Sequence, residues 1–101
     1  MGGLTVGAVR ATGGPFRVEL FTHPVCQGCR EATAALTRLA RAGEIELVQW
    51  SLAVRSGRAR AEETGVTSVP SVVVGAAMRE LATRESLEAF LAELRSGALG
   101  A

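Results

Sequence analysis

Between Phe16 and Ala42 the apolar residues change their repeat, and that change limits what the chain can fold into more than any other feature. Phe16, Val18 and Leu20 alternate with Arg17 and Glu19, the period of two that suits a strand, and Phe21 extends the apolar character. His23-Pro24 turns the chain. From about Val25 to Ala42, Cys29, Ala32, Leu36, Leu39 and Ala40 recur at helical spacing, with Arg30, Arg38 and Arg41 falling mostly elsewhere. A strand, a turn and a helix follow one another, and both cysteines of the molecule sit at the junction as Cys26-Gln27-Gly28-Cys29. Two thiols three residues apart on the first turn of a helix share a face and lie close enough to form a small disulfide ring.

The rest of the chain continues the pattern. Residues 1–15 read as a flexible leader, closed by the break signal Gly13-Gly14-Pro15, and the domain spans 16–96 with a short tail at 97–101. Ile45, Leu47, Val48 and Trp50 make 44–52 a second strand, with Trp50 packing in the core at its end. Residues 53–64 have few large apolar side chains and an internal Gly57. They predict a short, arginine-rich helix that covers the sheet poorly and ends at Gly65, its Arg55, Arg58 and Arg60 explained equally by an acidic partner or by a solvated face. Val72-Val73-Val74 and Met78 to Leu81, joined through Gly75-Ala76-Ala77, read as a hairpin. Thr83 is a good N-cap for a last helix whose Leu87, Phe90, Leu91 and Leu94 form one stripe before Gly97. The order β-α-β-α-β-β-α predicts an α/β fold: a mixed four-stranded sheet, parallel at its strand-helix-strand opening, with helices on both faces.

With 101 residues the chain builds one core and leaves no room for a separate substrate domain, so any partner is met at the surface. The formal net charge is +1, all of the positive charge coming from arginine, which argues against nucleic acid as a partner. No stretch reaches the roughly 18–20 uninterrupted apolar residues that span a bilayer, and residues 1–14 lack the basic start and apolar run of a secretory signal. A cytoplasmic location is expected, with no membrane partner. In such a reducing compartment a lone Cys-x-x-Cys is more often redox-active or metal-binding than a structural staple.

Two segments carry a family resemblance. Phe21-Thr22-His23-Pro24-Val25-Cys26-Gln27-Gly28-Cys29 is similar to the aromatic-Ser/Thr-x-Pro-x-Cys-x-x-Cys segment of glutaredoxins, and Gly65-Val66-Thr67-Ser68-Val69-Pro70-Ser71 to the Gly-Val-x-Ser-Val-Pro-Thr segment of thioredoxins. With the element order, residues 16–96 resemble the thioredoxin superfamily in its small glutaredoxin-like form. The resemblance implies a cis bond before Pro70, a proline lying beside the cysteines, and a Val69 backbone that pairs with an extended substrate. It implies a thiol-disulfide oxidoreductase whose partners are protein disulfide clients and an upstream thiol reductant, and whose only redox group is its own Cys26–Cys29 couple, without a cofactor. A monomer is expected. The chain departs from the family at Leu20, where thioredoxins carry an acidic residue six positions before the first cysteine. It departs again at His23 and Ala82-Thr83-Arg84, where glutathione-binding members carry a basic residue and a Gly-Gly-acidic segment, so glutathione use is not implied.

Cys26, at the helix N-terminus, is the expected nucleophile, because unpaired N–H groups and the positive end of the helix dipole favour thiolate over thiol. Cys29, one turn deeper, is placed to resolve a mixed disulfide on Cys26. Gln27 and Gly28 add no charge, and with Val69 and Pro70 they are the candidate substrate-binding residues; Gly28 allows close approach of a partner backbone. His23, three residues before Cys26, is a candidate modulator that favours the thiolate if protonated and shuttles a proton if neutral. The alternative is a metal site on His23, Cys26 and Cys29 for Zn²⁺ or Cu⁺, or a bridged iron-sulfur cluster. One chain lacks the fourth strong ligand of a structural zinc site.

Overall fold

A computed structural model describes residues 8–11, 16–97 and 99. Its strands are β1 (Ala8–Ala11), β2 (Phe16–Thr22), β3 (Ile45–Ser51), β4 (Ser71–Val74) and β5 (Ala77–Glu80), and its helices α1 (Cys29–Arg41), α2 (Arg55–Thr64) and α3 (Arg84–Ser96). The strands form one sheet in the order β1-β3-β2-β4-β5. β2 runs parallel to β3, from Phe16 opposite Ile45 to Thr22 opposite Ser51, and antiparallel to β4; β1 is antiparallel to β3 and β5 to β4. The predicted four strands are therefore present as a mixed sheet, and the expected leader contributes a fifth. Ala8–Ala11 lies inside the segment read as flexible, yet its backbone pairs with the edge that β3 would otherwise leave open. The remainder of 1–15, and residues 98, 100 and 101 of the tail, lie outside the described residues.

Both faces of the sheet are covered, and the two covers differ. Val18, Leu20, Ile45, Leu47, Val72 and Val74 point to one side and meet α1 through Ala32 and Leu36, and α3 through Leu87, Phe90 and Leu94. Phe21, Val48, Trp50 and Val73 point to the other and meet Ala61 of α2 and Val66. Burial of a Leu or Phe side chain contributes roughly 1.5–3 kcal/mol, so the first layer, with its larger side chains, holds most of the hydrophobic stabilisation.

Two local features decide the helix packing. Gly57 is buried, and a Cβ there would run into the backbone carbonyl of Ser51; its absence lets α2 lie against the end of β3. The glycine that weakens the helix is thus what seats it, and with Gly57 and Ala61 as its only buried residues α2 covers the sheet poorly, as expected. The hairpin turns at Gly75, whose φ of 59° is the left-handed region that favours glycine. α3 starts at a reciprocal capping box in which Thr83 accepts from the Ser86 N–H and the Ser86 hydroxyl accepts from the Thr83 N–H.

Candidate functional site

β2 ends at Thr22, and the chain passes through a turn before α1 begins at Cys29 with Gly28 as its N-cap. The helix thus starts four residues later than its periodicity suggested, because Val25–Gly28 form a turn. Cys26 lies in that turn, two residues before the N-cap, and is joined to Cys29 by a disulfide with Cα atoms 5.4 Å apart. The Cys26 residue is half-buried, while Cys29 is 5 % exposed under the first turn of α1. Cys26 is the more exposed of the two residues.

The disulfide stands between two open cavities. One, of about 530 Å³, runs past Cys26, Gln27 and Gly28 to Val69 and Pro70. The Val69–Pro70 bond is cis, and a Cβ on Gly28 would sit 3.4 Å from the Pro70 ring, so the missing side chain keeps this groove open. All four candidate substrate-binding residues line it. The Pro70 carbonyl accepts from the Leu81 N–H at 2.8 Å, which ties this loop to the end of the hairpin. Val25, 86 % exposed, lies at the same rim. The periodicity placed Val25 inside the helix, and only its position between Pro24 and Cys26 hinted at a turn.

The second cavity, of about 520 Å³, opens on the other side of the same disulfide and is lined by Thr22, Cys26, Arg30, Thr33 and Ser51 among others. Its walls are hydroxyls and a guanidinium. The parallel register of β2 and β3 brings Ser51 here, a contact between residues far apart in sequence that no local pattern could supply. His23 borders both cavities. Its Nδ1 accepts from the Val25 N–H at 3.2 Å. Among the described residues no group of three or more His, Cys, Asp or Glu side chains is gathered as a metal site.

A second polar cluster lies on the α2 face of the sheet. Glu19 is only 6 % exposed; one carboxylate oxygen accepts from Trp50 Nε1 at 2.9 Å and Arg60 Nε at 2.7 Å, and the other from Arg60 Nη2 at 2.8 Å. Arg60 Nη1 also reaches Glu63 at 2.9 Å. Burial pushes the Glu19 carboxyl up, but the Arg60 fork and the Trp50 N–H outweigh it and hold it below the usual carboxylate range. The same carboxylates raise Arg60 above the usual guanidinium range. The arginine run allows a solvated Arg60, but its guanidinium, one-third exposed, lies against Glu19. Trp50 packs in the core as expected. Leu20, at the position where an acidic residue was looked for, is fully buried in the opposite layer.

No helix among the described residues is long and apolar enough to cross a membrane. No protein-family model matches the chain, and no curated protein matches it.

Proposed function

We propose that this chain is a thiol-disulfide oxidoreductase with a thioredoxin-like fold of the glutaredoxin type, and that it reduces protein disulfides through Cys26 and Cys29. The observation that carries the reading is the asymmetry of the disulfide: a half-buried Cys26 that lines both grooves, and a buried Cys29 that borders only one of them. The element order and the cis Val69–Pro70 bond facing Gly28 support it.

In the reduced protein the Cys26 thiolate attacks one sulfur of a client disulfide. A Cys26–client mixed disulfide forms, and the second client sulfur leaves as a thiolate that takes up a proton. Cys29, losing its proton, then attacks the Cys26 sulfur; the Cys26–Cys29 bond forms and the first client sulfur departs as a thiol after protonation. Two electrons pass from the protein to the client; one of the two protons the client takes up is that lost by Cys29, and the other comes from solvent, where Cys26 had already released its own. An external dithiol returns them by the reverse sequence. The N-terminal end of α1 favours the Cys26 thiolate, and burial makes Cys29 the poorer target for outside thiols. His23 borders both cavities, and this reading keeps it as the modulator of the Cys26 thiolate.

The test is a pair of single substitutions assayed on a disulfide-containing protein. Cys26→Ser abolishes turnover, and Cys29→Ser accumulates a mixed disulfide whose mass equals the sum of enzyme and client. Turnover by the double variant would end this reading.

A further inference from the structure

The two grooves beside the disulfide differ in chemistry. On the Pro70 side no arginine and no carboxylate lines the cavity, and Val25 and Val69 stand at its rim. On the Ser51 side, Arg30 lines the cavity and no carboxylate does. Arginines gather further along that side. The Leu52 N–H donates to the Thr22 carbonyl at 2.8 Å, fixing the loop after β3 against the end of β2, and Arg58 Nη1 donates to the Leu52 carbonyl at 3.2 Å. Arg55 lies three residues before Arg58, on the same helix face, and makes no hydrogen bond or ion pair among the described residues. The acidic residue nearest the cysteines in sequence, Glu31, is already paired with Arg84 at 3.4 Å.

This charge placement works against the fold. α1 and α2 both start at the ends of adjacent parallel strands, so their positive ends share one edge. A cation in the first turn of a helix is disfavoured, yet α2 opens with Arg55, has no acidic residue in its first turn and no side-chain N-cap. A local rule broken without a structural gain is expected where the surface serves a partner. Val54, 43 % exposed at the start of α2, adds an apolar contact beside the arginines.

We propose, resting on the oxidoreductase reading above, that the client is a polypeptide whose cysteine is flanked by carboxylates, and that Arg30, Arg55 and Arg58 receive them. A polypeptide fits better than a small thiol, because Cys26 lines both grooves and Arg55 and Arg58 lie outside them, past the lining residue Ser51. The arginines act on encounter and orientation, so their effect is screened by salt.

The experiment uses the full chain, reduced with a dithiol and freed of it. The substrates are peptides of one sequence containing a disulfide, its flanks filled with glutamate, glutamine or lysine. At low salt the acidic peptide is reduced about tenfold faster than the basic one, with the neutral peptide between them, and near ~1 M salt the rates converge to within about twofold. Arg55→Glu lowers the acidic-to-basic rate ratio about threefold while raising the thermal midpoint, because an acidic residue at that helix start suits the dipole. Arg58→Gln lowers the same ratio. Equal rates on all peptides, or a uniform loss in Arg55→Glu that leaves the ratio unchanged, overturns the acidic client and leaves the oxidoreductase reading standing. A charge preference seen only with small anionic disulfides overturns the client as well. No reduction of any peptide removes both.

Discussion

The two layers that cover the sheet are held by different physics. Beneath α1 and α3, fourteen buried residues form one apolar cluster without a charged member. Beneath α2 the cluster is smaller, and it is flanked by a buried carboxylate that two donors satisfy. Apolar burial is indifferent to pH, whereas a charged pair holds only while both members are ionised. α1 and α3 thus rest on a layer insensitive to its ionic surroundings, and α2 on one that is not.

Substitutions in each layer sharpen that contrast. Phe90→Ala, in the apolar layer, lowers unfolding free energy by about 4 kcal/mol, measured by urea titration, with the same loss near neutrality and in acid. A loss confined to one pH would break the comparison.

Glu19→Gln keeps an acceptor for Trp50 but removes the charge that Arg60 grips, and costs about 2 kcal/mol at neutral pH. Arg60 remains one-third exposed, so solvent screens part of the pair. Because folding lowers the Glu19 carboxyl below its ordinary value of 4.5, its contribution is present above that value and disappears as pH falls through the lower folded one. The wild-type chain therefore loses stability on acidification below about 4.5, and Glu19→Gln flattens that fall. Parallel pH profiles of the two proteins would mean that other carboxylates set the acid limb.

Thr83→Ala has the smallest effect. It removes the cap of α3 at the exposed rim of the apolar layer and costs about 1 kcal/mol without pH dependence, read from the same titrations.

Much of this was legible in the sequence. β2 announced itself by alternation, α3 by its stripe and its threonine cap, and the cysteines by position between two periods. What escaped notice depended on partners distant in the chain. Ala8–Ala11 has little patterning of its own and is a strand because β3 offers it an edge. Glu19 alternates with apolar neighbours along β2, and its partner Arg60 comes from a helix 41 residues away in the chain. Arg60 belonged to a run of three arginines whose members now do different things: one grips Glu19, one caps Leu52, and Arg55 stands free. The start of α1 was misplaced because a turn containing Val25 mimics a helical repeat. At the site, Cys26, Cys29, Gln27, Gly28, Val69 and Pro70 do converge, although Val69 and Pro70 lie some forty residues away in sequence. The Ser51 side of the disulfide was invisible, since it exists only through the register of two parallel strands.

The central claim is that Cys26 and Cys29 form a working redox couple, and their reduction potential tests it most directly. The protein is equilibrated in graded dithiol buffers, alkylated, and its free thiols counted by mass. The account predicts one reversible two-electron transition with a midpoint between roughly −270 and −200 mV. Thiols that show no reversible transition across those buffers would contradict it.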